Sequence, residues 1–155
     1  MSNFKQIEST NNLREVIKSA FDTELILSGA WGYTEAEATI IEANKQAISL
    51  SQLEHTLASM RAYLEMNMTL EKEERYGSIN VNETTREQIK AGSHIYDKVT
   101  YEITAIQEDL YASFINEYKE SYGKKNFDLN DHFNRRKEAT LTRKVTHWFE
   151  VSSVI

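Results

Sequence analysis

Apolar residues recur along much of this chain at steps of three and four, the spacing of one helix face. Leu13, Val16, Ile17, Ala20 and Phe21 form one such stripe. It predicts a first helix over 12–27, stopped by Ser28-Gly29, although Leu25-Ile26-Leu27 also fits a short strand. Thr34 with Glu37 three residues later has the form of a capping box. A second helix is expected from there, over 34–74. Within it Leu50, Leu53, Leu57, Met60 and Leu64 make a seam of a and d positions. Tyr76 to Asn82 breaks the pattern, and Ile79 and Val81 alternate there with polar residues, as in a short extended piece. Asn82 or Thr84 can cap a third helix over 83–122. Its stripe is Ile89, Gly92, Tyr96, Val99, Ile103, Ile106 and Leu110. After Gly123 to Asn126, Asp128 or Asn130 can cap a fourth helix over 128–149, with Leu129, Phe133, Leu141, Val145 and Phe149 inward. The tail from Trp148 to Ile155 is β-branched and apolar enough to finish as a strand.

These segments predict an all-α chain: an elongated bundle of about four helices, built on a long antiparallel helical hairpin that folds at Gly77. A short extended segment is allowed at a loop or at the C-terminus. Two helices of about 40 residues would each run about 60 Å at 1.5 Å per residue. A compact chain of this size is only about 40 Å across. The bundle must therefore be elongated, or its helices must bend, for example at Gly92. Composition points the same way. Among 155 residues there is no proline and only 5 glycines, so the residues that build tight turns are scarce. The length suits one domain spanning 1–155.

Chemistry is sparse. With no cysteine, disulfides, thiolate catalysis and Cys-type zinc sites are excluded. Glu-x-x-His, His-x-x-x-His, phosphate-binding glycine loops and G-x-S-x-G are all absent. Asp128-x-Asn130 begins like a calcium loop, but His132 and Phe133 stand where the pattern needs an acid or Asn and then Gly. On a helix His94, Asp97 and Tyr101 would share one face. His94 and Asp97 are therefore the candidate metal pair, set against the plainer reading of a solvent-facing histidine beside a carboxylate. His147 and Glu150 repeat the spacing. No cofactor is expected.

Charge divides the chain. The net charge is -6. Residues 1–123 hold 20 acidic and 11 basic side chains, whereas 124–147 hold 7 basic and 3 acidic. On the fourth helix His132, Arg136, Arg143 and His147 would stack on one side, with Lys124, Lys125, Arg135, Lys137 and Lys144 around them. Tyr96, Tyr101, Tyr111, Tyr118 and Tyr122 are spread around the third helix, and tyrosine is enriched at interfaces. The candidate interaction residues are Arg136, Arg143, Lys144, Tyr96, Tyr118 and Tyr122.

The expected function is that of a non-enzymatic helical interaction or scaffold protein, whose partner is a protein and foremost a second copy of itself. An acidic body with a basic terminal helix suits head-to-tail or antiparallel pairing. One alternative is a small-ligand- or metal-dependent enzyme with its site inside the bundle. Another is nucleic-acid binding through 124–147. No apolar run is long enough to cross a membrane, and Met1 to Ile7 holds none of signal-peptide type. A cytoplasmic protein without a membrane partner is the expectation.

Overall fold

The structure, a computed structural model, describes residues 4–8 and 12–155. The reading of Met1 to Ile7 thus lies partly outside the described residues. Along the chain come α1 (Leu13–Phe21), β1 (Leu27–Gly29), β2 (Thr39–Ile41), α2 (Leu50–Tyr63), β3 (Tyr76–Ala91), β4 (His94–Gln107), α3 (Glu108–Ser121), α4 (Leu129–Ala139) and β5 (Leu141–Glu150). The strands form one five-stranded sheet in the order β1-β2-β5-β4-β3. Among the described strands only the β2–β5 pair is parallel.

The fold is therefore a mixed sheet with helices, and the all-α bundle and its helical hairpin are overturned. The largest correction falls on 83–122. Residues 76–107 form a long β-hairpin, and only Glu108–Ser121 is helical. The physical reason is side-chain shape. Ile95, Val99, Thr100, Ile103 and Thr104 are β-branched, stiff at χ1, and pack better on a pleated surface than on a helix. Asp97, Val99, Tyr101, Ile103 and Ala105 are buried at every second position, the period of a strand. Gly92-Ser93 makes the two-residue turn between Ala91 and His94. Gly92 takes φ +65° while Ser93 does not go positive, the signature of a type II′ hairpin.

The expected helix over 34–74 shrinks to Leu50–Tyr63, with one π turn after it over Leu64–Met68. Thr34 and Glu37 do bond each other, but in the turn leading to β2. The working capping box is Ser49 with Gln52. The first helix ends at Phe21 rather than at 27, where Asp22 adopts φ 51°. The fourth stops at Ala139, and the expected helix over 140–149 is strand β5.

The core lies on one sheet face. Leu13 and Ile17 of α1, and Leu53, Leu57 and Met60 of α2, pack against Val99, Tyr101, Ile103 and Phe149. The helical seam read for α2 is thus a true buried stripe. The opposite sheet face carries Tyr96, Lys98, Thr100, Glu102 and Thr104 of β4, and Thr142, Lys144, Thr146 and Trp148 of β5, cross-strand neighbours in register. All nine are half-buried or exposed. This face buries Glu150 at one end and Ile106 at the other, where α3 begins.

Candidate functional site

A partly open cleft of about 660 Å³ lies at the end of the open sheet face. Four segments meet there. β1 and the loop after it supply Ser28, Gly29, Ala30, Glu35 and Glu37; β2 supplies Ile40, followed by Glu42; the hairpin turn supplies Ser93, His94 and Tyr96; the chain end supplies Glu150, Ser152 and Ser153. Register explains the convergence. Ser28 pairs with Ile40, Ile40 with Glu150, and Glu150 with Tyr96, so one cross-strand row forms the floor. Gly29 at φ +82° brings β1 close to its partner: a Cβ there would lie 2.4 Å from the Ala38 carbonyl oxygen.

Glu150 is the most buried charged group of the cleft, at 8% exposure. Its Oε1 accepts a short hydrogen bond from Ser152 Oγ, and His94 Nδ1 lies 3.2 Å from the same oxygen. Ser152 Oγ in turn accepts from the Ile95 backbone N–H at 2.8 Å, and Val151 N–H donates to Ile95 O. These bonds hold the chain end against β4. Serine, glutamate and histidine are adjacent here, but in the wrong order for nucleophilic catalysis. The serine donates to the carboxylate and the histidine is on the other side of it, so no histidine holds the serine proton as in a nucleophilic triad.

The candidate residues scatter. His94 stands at the cleft with its side chain 60% exposed, while Asp97 is buried on the other face of the sheet. Three residues apart on a strand, they point in opposite directions, so the i, i+3 pairing expected of a helix is not formed. Among the described residues no three His, Asp or Glu side chains converge on a metal-sized point. Tyr96 lines the cleft and lies edge-on to Trp148 at 6.1 Å. Lys144 is exposed on the open sheet face opposite Glu102. Arg143 points to the other side, where its Nη1 donates to Glu65 Oε1 at 2.8 Å. Arg136 lies over the Tyr111 and Phe133 rings on the α3–α4 pair. Tyr118 packs in the same pair beside His132 and Phe127, and Tyr122 is 67% exposed at its end. The basic stack is dispersed likewise. His132 is buried on α4 and His147 is wholly buried on β5, where burial holds its pKa well below the ordinary value. His147 Nε2 lies 2.9 Å from Thr39 Oγ1, and that hydroxyl donates to Ala30 O.

Two buried polar clusters escaped the sequence reading, because the packing of α2 and its π turn against the sheet brings their residues together. In one, Arg86 of β3 lies 2.8 Å from Glu54 of α2 and 3.4 Å from Asp97 of β4. Burial first, and then a hydrogen bond with Asp97, push the Glu54 carboxyl up to about 8. Glu54 Oε2 and the Tyr101 hydroxyl are buried there without partners among the described residues. In the other, Arg61 Nη1 and Nη2 donate to the Trp31 and Thr146 carbonyls, and its guanidinium lies 4.5 Å from the centre of the Tyr33 ring. The Tyr33 hydroxyl donates to Glu65 Oε2 at 2.5 Å and accepts from the Ile7 backbone N–H. Burial, then the Glu65 charge, raise the Tyr33 pKa. Each carboxylate here already holds a cation or a hydroxyl, which suits a structural role more than a reactive one.

No known family, curated protein or solved structure matches this chain.

Proposed function

We propose that this is a non-enzymatic protein-interaction protein that self-associates through the open face of its sheet. The observation that carries the reading is one-sided packing. α1 and α2 bury one face, whereas the face of β4 and β5 opposite them holds Trp148 and Tyr96 half-exposed beside paired opposite charges. Tryptophan and tyrosine are the residues most enriched among those that dominate binding energy. Glu102 and Lys144 are direct cross-strand neighbours, and Lys98 lies 5.1 Å from the Trp148 ring centre and pairs in register with Glu87. Such a neutral, alternating patch is complementary to its own copy turned by a two-fold axis, where positive ends can meet negative ones.

With strands about 4.8 Å apart and about 3.3 Å per residue, the two-strand patch measures roughly 290 Å² in plan, so a stable pair also draws on flanking side chains to reach the ~800 Å² of accessible surface per partner in a standard interface. No helix of the described residues is long and apolar enough to cross a membrane.

The experiment is the solution mass of the protein and of Trp148→Glu. A dimer that becomes a monomer on this one change, with an unchanged circular dichroism spectrum, supports the reading. A variant that dimerises as well as the parent rejects it.

A further inference from the structure

We infer that the α3–α4 pair binds single-stranded nucleic acid along a row of aromatic rings, with phosphates held by Arg136, Lys124 and Lys125. The pair is thinly packed: among the described residues α3 buries only Phe114 and α4 only His132. Of the eight large apolar side chains exposed among the described residues, Leu110, Tyr122, Leu129 and Phe133 belong to this pair and its connection. Its rings are ordered in a line. The Tyr118 ring centre lies 5.2 Å from that of Tyr122 and 6.3 Å from that of Phe133. The Arg136 guanidinium then lies 5.7 Å from the Phe133 ring centre and 5.7 Å from that of Tyr111. A continuous row therefore runs from Tyr122 to Tyr111, 11 positions apart in the sequence. At 1.5 Å per helical residue the row is about 16 Å long, room for about four or five nucleotides at a stacked spacing of about 3.4 Å.

Charge selects an anion for this row. Residues 119–137 hold six basic and three acidic side chains, in a chain of net charge -6. Pairing widens the excess. Arg135 takes up Glu117 and Asp131, and Asp128 caps the N-terminus of α4. Lys124, Lys125, Arg136 and Lys137 have no carboxylate partner among the described residues. An arginine held over rings rather than by a carboxylate keeps its N–H groups for a phosphate. Tyrosine and phenylalanine give base faces something to stack on, and rings combined with cations are how single strands are bound without sequence preference. A duplex hides its base faces inside the stack. A bilayer surface calls for apolar groups on one helix face and cations on the other, whereas Arg136 lies against both the Phe133 and Tyr111 rings. The interleaving of ring and cation fits a single strand best.

Fluorescence anisotropy of a labelled ten-nucleotide oligothymidylate, titrated with the full chain at low salt, tests it. Saturable binding is expected, with log affinity falling linearly as log salt rises. Tyr122→Ala with Phe133→Ala should weaken it at least about fivefold, the low end of what one stacked base contributes. Lys124→Gln with Lys125→Gln should flatten the salt slope by about 1.4, at about 0.7 per phosphate contact on a single strand. Lys45→Gln with Lys90→Gln removes two exposed cations elsewhere and should leave affinity within twofold. All six positions except Phe133 and Tyr122 carry solvated charge, and those two rings are exposed, so the circular dichroism spectrum should not change. Four results overturn the inference: no saturable binding at low salt, a duplex of the same length bound as tightly, affinity indifferent to the ring variant, or co-sedimentation with equimolar phosphatidylserine–phosphatidylcholine vesicles without oligonucleotide binding. The last would assign the face to a lipid surface. Trp148→Glu should bind the oligonucleotide within twofold, so this inference and self-association through the sheet fail or stand separately.

Discussion

Replacing Gly32 by alanine should be among the most damaging small changes in this protein. Gly32 adopts φ +81°, a conformation that costs an L residue about 1–2 kcal/mol. A methyl group there would lie 2.1 Å from His147 Cδ2, 2.4 Å from its Nε2 and 2.8 Å from the Trp148 carbonyl oxygen. Neither side can yield easily. The His147 ring is wholly buried, stacked on Phe149 at 4.0 Å and hydrogen-bonded to Thr39. The backbone of Gly32 is held at both ends, by Gly32 N–H to Glu37 O and Trp148 N–H to Gly32 O, each 2.8 Å. Overpacking a core of this kind costs about 1–3 kcal/mol, and a lost buried hydrogen bond about 1 kcal/mol more. The sum is about 3–6 kcal/mol. Gly92→Ala is the internal control, since φ is +65° there but nothing lies within 4 Å of the new methyl group. It should cost only about 1 kcal/mol. In urea denaturation with a slope near 2 kcal/mol/M, Gly32→Ala should lower the midpoint by about 2 M and Gly92→Ala by about 0.5 M. Adding His147→Ala to Gly32→Ala should recover part of the loss, because the two sites are coupled. Equal effects of the two glycine variants would refute the argument.

The other predictions concern charge and surface. Glu65→Ala leaves Arg143 and Arg61 without their buried carboxylate and should cost about 3–5 kcal/mol, read as a large drop in the thermal midpoint. Glu54 carries a raised pKa in the fold, near 8 against an ordinary 4.5, so unfolding releases its proton between those values. Its stabilising contribution is full below about pH 4.5 and is lost as pH rises towards 8; in urea titrations from pH 5 to 9, Glu54→Gln should flatten that fall. His147 acts in the opposite sense, because its pKa is depressed: stability should drop as pH falls below 6.5, and His147→Phe should remove that part of the acid-side slope. Tyr122→Ser with Arg136→Glu changes positions on the α3–α4 pair, away from the open face of β4 and β5, so the solution mass should stay as in the parent protein.

The cores of the helices were legible in the sequence, and the sheet was not. α2 was readable because Leu53, Leu57 and Met60 fall at helical spacing and no competing signal interrupts them. The β3–β4 hairpin was misread because apolar residues occupy both parities of β4. Tyr96 and Ile106 sit on one face and Val99 and Ile103 on the other, and together they imitate steps of three and four. The true signals were the β-branched content and the Gly92-Ser93 pair, a recognised two-residue hairpin turn. A missing proline argued for helices, but a two-residue glycine turn needs none. The sequence reading paired His94 with Asp97, but the carboxylate beside it is Glu150. That contact joins positions 56 apart in the chain, and only strand pairing specifies it. The Arg61–Glu65–Arg143 and Glu54–Arg86–Asp97 clusters were illegible because they join α2 and its π turn to strands that the helical reading did not contain.

Light scattering on a gel-filtration column, at tens of micromolar protein and moderate salt, tests the central claim most directly. Self-association through the open sheet face predicts a mass near twice 18.0 kDa for the parent protein and near 18.0 kDa for a folded Trp148→Glu variant. A parent protein that elutes at 18.0 kDa across that concentration range would contradict it.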